Sequence, residues 1–251
     1  MLIHKFCTGN KPIMVLIHGF LTPWQIWTPH ISAFKNDYDI FVIALNAHTE
    51  ENASEFISVS EEAKSIVRYL KENNILCVDV LCGISLGGAI AFEIWKSAGL
   101  NISHIIMDGA PLVPCPKIAV NIMMNNYKNI IHKSQKRDSK VLENFKKNFL
   151  PEKYLENYLR IADLITDTSV ENIIHSVFSC KMVKNIENKS KILFIHGTKA
   201  NEFLSKRSAK LMKKYYPKTE TICFVGDTHC YKVIYQPQKW IDTVACFLKN
   251  G

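Results

Sequence analysis

Short runs of consecutive apolar residues alternate along the chain with longer segments in which apolar residues recur at helical spacing. The runs predict strands at Leu2–Phe6, Ile13–Ile17, Ile40–Leu45, Val78–Cys82, Ile102–Met107, Lys191–Ile195 and Thr221–Val225. Most of them are continuously apolar, which is typical of strands covered on both faces. Helical spacing predicts helices over Glu61–Lys71, Leu86–Ala98 and Pro237–Leu248. This alternation predicts an α/β fold with a mostly parallel central sheet flanked by helices.

One stretch interrupts the alternation. From about Pro114 to Lys189 there is no strand-like run, and helix-like segments follow one another at Ile118–His132, Ser139–Asn148, Pro151–Ile161 and Val170–Lys181. Because roughly 75 residues is too long for a loop in a compact domain, the stretch is interpreted as an insertion with its own helices. The predicted division is therefore an α/β core over residues 1–113 and 190–251 and an all-helical cap over 114–189.

Composition narrows the class of protein. Hydrophobic residues make up 47% and charged residues 22%, which is near the globular average and excludes disorder, collagen and coiled coil. No apolar run reaches the roughly 20 residues that span a bilayer, and the first apolar stretch is too short for a secretory signal. The eight cysteines form no C-x-x-C pair and match no metal-ligand spacing. We therefore expect a cytoplasmic protein without membrane insertion, metal or organic cofactor.

The net charge of +8, from 31 basic and 23 acidic residues, first suggests a nucleic acid or an anionic membrane as partner. The basic residues are dispersed, however, and no stripe alternates them with aromatic residues. The pattern favours solvated helix faces and predicts no nucleic-acid partner. The assembly is left open between monomer and homodimer.

The sequence Gly83-Ile84-Ser85-Leu86-Gly87-Gly88 carries the clearest chemistry. It follows the predicted strand Val78–Cys82 and opens a predicted helix, which is the context that a G-x-S-x-G motif needs. The turn is so tight that Ser85 must adopt a strained backbone, and glycines two residues to either side remove clashing side chains. The strain exposes the hydroxyl at the sheet edge, where the helix N-terminus stabilises developing negative charge. Ser85 is the candidate nucleophile.

Two further strand ends complete the candidate chemistry. His18–Phe20 follows the strand before it into a loop, where the backbone N–H of Phe20 and that of Leu86 are the predicted oxyanion donors. His229 follows the strand Thr221–Val225 and a glycine turn. A general base for a serine must lie on a neighbouring loop at the same sheet edge, which His229 does.

These motifs resemble those of the α/β-hydrolase superfamily, and the resemblance extends over essentially the whole chain. It implies an α/β-hydrolase fold with the helical cap inserted after the sixth strand. It also implies a sheet shortened at its first edge, because few residues precede the strand that ends at His18. Carried over residue by residue, it implies Ser85 as nucleophile, His229 as base, and the N–H groups of Phe20 and Leu86 as the oxyanion hole.

The acid of the implied triad is the point where the sequence departs from the family. The usual position, three residues after the glycine of the strand that follows the cap, holds Ala200. Asp108 at the end of the strand before the cap is favoured, because a strand-end carboxylate is held rigidly. Glu202, two residues past the usual position, is the alternative acid. Asp227 is interpreted as a turn residue, and a dyad of serine and histidine also remains open.

The resulting hypothesis is a serine hydrolase, of the carboxylesterase type, that forms an acyl-enzyme on Ser85 from small or medium acyl esters. The expected partner is therefore a small-molecule acyl substrate. Trp24, Met123 and Tyr127 are the predicted substrate-binding residues. One alternative is a hydrolase or lyase that breaks a carbon–carbon bond of a carboxylated metabolite, bound by basic residues of the cap: Lys133, Lys136 and Arg137. The other is a non-catalytic ligand-binding homologue, which only Ala200 supports.

Overall fold

A computed structural model describes residues 1–51, 53–184, 186 and 189–249 of the chain. One sheet contains seven strands: β1 (Leu2–Phe6), β2 (Ile13–Ile17), β3 (Asp39–Ala44), β4 (Cys77–Ile84), β5 (Asn101–Asp108), β6 (Lys191–Gly197) and β7 (Glu220–Phe224). Their spatial order is β1-β3-β2-β4-β5-β6-β7. Strand β1 is antiparallel to β3, and the other neighbours pair in parallel. The predicted strands and the mostly parallel sheet are confirmed.

Helices flank this sheet. Those of the core are α1 (Thr28–Phe34), α2 (Val59–Glu72), α3 (Leu86–Lys96), α8 (Phe203–Tyr215), α9 (Tyr231–Tyr235) and α10 (Pro237–Lys249). Helices α1, α8 and α9 were not predicted from the sequence. The buried face of α8 consists largely of small or polar residues such as Ser205, Ser208 and Ala209, so it offers few large apolar residues by which a helix is recognised. Among the described residues, no helix combines the length and apolar composition needed to cross a membrane.

Helix α3 fixes the centre of the core. Its residues are buried almost without interruption from Leu86 to Trp95, as expected of a helix that is hydrophobic on all sides. Helix α2 is instead amphipathic, with Ala63, Ile66 and Leu70 buried. The Ser85 turn therefore leads into the most deeply buried helix of the core.

Between β5 and β6 lie the helices of the cap: α4 (Lys117–Gln135), α5 (Ser139–Asn148), α6 (Leu155–Leu164) and α7 (Asp167–Phe178). This is after the fifth strand of the present chain, whereas the expected position was after a sixth strand. Ser169 of α7 joins the cap to the core, since its hydroxyl donates to Glu55 at 2.6 Å and accepts from the Phe56 N–H at 3.0 Å. Positions 185, 187 and 188 of the predicted cap, and 52, 250 and 251 of the predicted core, lie outside the described residues.

Candidate active site

The candidate residues meet at the carboxyl edge of the sheet. The strand order reverses between β2 and β4, because β3 lies on one side of β2 while β4 and the later strands lie on the other. In open α/β sheets, ligands bind at such a switch point. The loop after β2 carries Phe20, the end of β4 carries Ser85, and the loops after β6 and β7 carry Glu202 and His229.

The Ser85 turn is held by backbone contacts. Ser85 has a φ of +50°, in the left-handed region, and its N–H donates to the carbonyl of Asp108 at 2.8 Å. A Cβ on Gly83 would lie 2.1 Å from the Gly87 carbonyl oxygen, and a Cβ on Gly87 would lie 2.3 Å from that of Ile17. Only glycine fits at these two positions, and the strained serine backbone agrees with the expectation from the sequence.

A continuous chain of hydrogen bonds runs from Ser85 into the interior. The hydroxyl of Ser85 lies 2.9 Å from Nε2 of His229, and Nδ1 of His229 lies 2.9 Å from Oε1 of Glu202. The Glu202 side chain is 0% exposed, whereas that of His229 is 31% exposed. A neutral imidazole that donates from Nδ1 to Glu202 leaves Nε2 to accept the serine proton. The arrangement can activate a hydroxyl nucleophile.

The structure places Glu202, not the favoured Asp108, against the imidazole. Oδ2 of Asp108 instead accepts from the indole N–H of Trp240 at 3.0 Å, so this carboxylate is directed toward α10. The residue after it, Gly109, passes beneath the histidine, and a Cβ there would lie 2.7 Å from Cε1 of His229. Glu202 reaches the imidazole because a short 3-10 turn, Ala200–Glu202, follows β6.

The charges of this cluster are coupled. Burial alone lowers the pKa of His229, but the hydrogen bond and negative charge of Glu202, with the charge of Asp108, raise it above its ordinary value. Burial works against ionisation of Glu202, yet the bond to His229 holds its pKa below the usual range. Burial, and then the charge of Glu202, raise the pKa of Asp108 to about 7. Glu202 is therefore the carboxylate that stays ionised beside the imidazole.

The two residues predicted as oxyanion donors flank Ser85. Leu86 is the first residue of α3, so its N–H has no partner within the helix. Phe20 lies in the loop after β2, which passes so close to the serine that a Cβ on Gly19 would lie 3.3 Å from the Ser85 Cβ. Phe20 and Leu86 both line the cavity above Ser85.

That cavity has a volume of about 260 Å³ and lies between the core and the cap. Met123 and Tyr127 of α4, two of the predicted substrate-binding residues, line it. Trp24 does not: its ring stacks on His4 at 4.0 Å between centroids and packs near β1, because the 3-10 turn Trp24–Trp27 directs it to the sheet edge. Apolar residues of α7 that the sequence analysis did not assign to the site complete the wall: Ile173, Ile174 and Val177. In the sequence their spacing cannot be distinguished from ordinary helix packing.

The lining of the cavity is electrically neutral apart from the histidine. Among the described residues that line it, none is Asp, Glu, Lys or Arg. The three basic residues considered for carboxylate binding lie elsewhere. Arg137 makes two hydrogen bonds to Asp163, at 2.8 and 2.7 Å, Lys136 is exposed, and Lys133 lines a second cavity of about 210 Å³ in the cap.

No protein-family model matches the sequence, and no curated protein matches it. Solved structures do match. An alpha/beta hydrolase family protein from Desulfitobacterium hafniense has a TM-score of 0.76 at 18% identity, over 98% of this chain and 100% of that chain. An esterase from Exiguobacterium antarcticum has a TM-score of 0.76 at 16% identity, over 98% of this chain and 94% of that chain. MenH from S. aureus has a TM-score of 0.74 at 16% identity, over 99% of this chain and 98% of that chain. The chain has the α/β-hydrolase fold.

Proposed function

We propose that the protein is a serine hydrolase that acts on esters with a small or medium, uncharged acyl group. The observation that carries the proposal is the unbroken chain of hydrogen bonds from Ser85 through His229 to the buried Glu202, at the floor of a largely apolar cavity. Structural neighbours that are named esterases, such as the one from Exiguobacterium antarcticum, support an ester substrate.

The geometry supports a two-step acyl transfer. Ser85 Oγ attacks the ester carbonyl while His229 Nε2 takes its proton, and Glu202 orients the imidazole and stabilises its charge. The backbone N–H groups of Phe20 and Leu86 bind the oxyanion of the tetrahedral intermediate. His229 then protonates the leaving alkoxide, which departs as the alcohol. Water, deprotonated by the same imidazole, attacks the acyl-enzyme and releases the carboxylic acid and free Ser85.

The neutral lining supports an uncharged acyl group. A carboxylate drawn into this cavity would lose its water without meeting a lysine or arginine among the described lining residues, which is costly. Its polar lining includes the uncharged amides of Asn148 and Asn201 and the phenol of Tyr127. Burial raises the pKa of that phenol further above its usual value. These features disfavour the carbon–carbon hydrolase or lyase acting on a carboxylated metabolite.

The test is a fluorophosphonate probe combined with p-nitrophenyl esters of graded chain length, applied to the wild type and to Ser85→Ala. We expect stoichiometric labelling at Ser85, hydrolysis of the esters, and loss of both in the variant. A matched ester with a terminal carboxylate on its acyl chain should be a much poorer substrate than its methyl-capped counterpart. Folded wild-type protein that neither reacts with the probe nor hydrolyses any ester would overturn the proposal and support the ligand-binding alternative.

A further inference from the structure

Two buried histidines outside the hydrogen-bond chain lie beneath the loop that follows β2. His18 directly follows β2 and His48 follows β3; both are 0% exposed, and their rings are 5.1 Å apart. Neither lines the cavity. Their contacts are therefore with the loop itself and with the segment after β3.

His48 binds the residue next to the predicted oxyanion donor. Its Nε2 accepts from the N–H of Leu21 at 3.0 Å, so Nδ1 carries the proton and donates to the carbonyl of Asn46 at 3.1 Å. Leu21 has a φ of +56°, an unfavourable value for a leucine, which the hydrogen bond helps to maintain. The Leu21 N–H shares its peptide plane with the Phe20 carbonyl, so the bond fixes the plane on the C-terminal side of Phe20. The His48 ring supports the Phe20 ring as well, edge to face at 5.7 Å.

The segment that contains Asn46, whose carbonyl accepts from His48, is itself held rigidly. The backbone N–H and side-chain amide of Asn46 both donate to the buried Glu62 of α2, each at 2.8 Å. The N–H of Ala47 donates to Ser54 Oγ at 3.0 Å. The segment after β3 is therefore hydrogen-bonded to α2 and to the chain before it, and this holds the His48 ring in place.

His18 repeats the same pattern on the other side of the loop. Its Nε2 accepts from the N–H of Leu45 at 3.1 Å, and Nδ1 donates to the carbonyl of Gly19 at 2.8 Å. Both imidazoles use one nitrogen as acceptor, which only the neutral ring provides. Burial lowers the pKa of His18 to about 3 and that of His48 to about 4, so both stay neutral at ordinary pH.

We propose that His48 is a positioning residue for the oxyanion hole: by accepting the Leu21 N–H, it fixes the peptide plane that follows Phe20 and so restrains the Phe20 backbone, whose own N–H lies in the preceding plane and binds the developing oxyanion. This rests on the proposed function. The hydrogen bond itself, however, is a property of the fold that can be tested without any substrate. The group positioned is a donor that acts only in the tetrahedral state, so its loss affects turnover more than substrate binding.

The variants are His48→Phe, which keeps a ring but removes the acceptor, and His48→Gln, whose amide oxygen can replace it. His30→Phe is the matched control, since His30 is also 0% exposed but packs between the rings of Trp27 and Trp240, away from the loop. Rates are expressed per site titrated with the fluorophosphonate, so that misfolded protein is not counted. The affinity for a trifluoromethyl ketone, which forms a tetrahedral adduct, is measured beside KM.

For His48→Phe we expect kcat per titrated site to fall by about 10- to 100-fold with little change in KM. This loss is smaller than the about 100- to 1000-fold loss in kcat that is typical when an oxyanion donor is removed outright. The ketone should lose affinity by a similar factor, and His48→Gln should recover most of both. Hydrogen exchange at the Leu21 amide should accelerate in His48→Phe and not in His30→Phe. Unchanged Leu21 exchange, or an unchanged kcat per titrated site in His48→Phe, would overturn the inference. A wild type that is inert to the probe, with Leu21 exchange still dependent on His48, would instead refute the proposed function and leave the hydrogen bond standing.

Discussion

The carboxyl edge of the sheet and the cap form opposite walls of one cavity, and they are built differently. At the sheet edge, backbone packs on backbone: a Cβ on Gly87 would lie 2.3 Å from a carbonyl oxygen of β2. In the cap, α4 presents side chains to the cavity on one face and leaves Ile118 and Ile122 exposed by 77% and 57% on another. A wall made of backbone cannot adjust to substitution, whereas a wall made of side chains can.

This difference separates two kinds of effect. Changes at the sheet edge should alter the reaction for every substrate, because they move or remove the reacting groups. Changes in the cap should distinguish between substrates, because they alter only the shape of the space above Ser85.

The largest effect should come from the acid of the sheet edge. Glu202→Gln removes the charge that stabilises the imidazolium, and we expect kcat to fall by about 1000- to 10,000-fold. Asp108→Asn is the matched control: an equally buried carboxylate, bonded to Trp240 rather than to His229, should cost less than about 10-fold. Ester hydrolysis by the two purified variants tests this. An equal loss in both, or a larger loss in Asp108→Asn, would contradict the assignment of Glu202.

The second effect concerns stability of the same edge. Gly87→Ala forces a methyl group into the backbone of β2, and we expect a loss of about 3 kcal/mol or more in the free energy of unfolding, at the upper end of overpacking costs. Gly99→Ala is the control, because the nearest atom there is a side-chain methyl of Val67 at 3.2 Å. Urea denaturation of both variants measures the difference. Similar midpoints for the two would show that the sheet edge yields more than its backbone contacts indicate.

The cap should give a smaller and selective effect. Met123→Trp narrows the cavity from α4, and we expect kcat/KM to fall about 10-fold for a medium-chain ester and less than about 2-fold for an acetate ester. Ile122→Trp, one residue away but exposed and outside the cavity lining, should leave both substrates unaffected. Equal losses on both esters for Met123→Trp would mean that the cap acts on catalysis and not on substrate choice.

The features predicted correctly from the sequence are those encoded locally. The strands were found because each is a short apolar run, and the Ser85 turn because its glycines stand at fixed offsets from the serine. A side chain at Gly83 would clash with the Gly87 backbone, and one at Gly87 would clash with the Ile17 backbone. Any tight strand–turn–helix makes such close backbone contacts, so the spacing of the two glycines is a local pattern.

The features that the sequence left open, or assigned to other residues than the structure does, depend on three-dimensional placement. The preference for Asp108 assumed that a strand-end carboxylate points at the histidine, but that strand end faces Trp240 of α10. Glu202 was displaced from the usual position by two residues, and only the 3-10 turn at Ala200–Glu202 brings it back. Trp24 was predicted to be a substrate-binding residue, yet its ring stacks on His4. No local pattern reports which way such side chains point.

The smallest effect tests whether Asp108 acts on the site through its charge alone. His229 must be neutral to accept the serine proton, so kcat/KM falls as the pH drops below the pKa of His229 in the free enzyme. Burial lowers that pKa, while Glu202 and then Asp108 raise it, with a net result above the ordinary value. Asp108→Asn removes one negative charge that raises the pKa of His229, so the acidic limb of the profile should move to lower pH without a change in the plateau rate.

Asp242→Asn, which alters an exposed carboxylate of α10 bonded to Gln238, should leave the limb in place. Because the pKa of Asp108 is itself raised to about 7, its charge is fully present only above that pH, and the shift should be modest. A limb that stays in place or moves to higher pH in Asp108→Asn would show that this carboxylate serves α10 and not the imidazole.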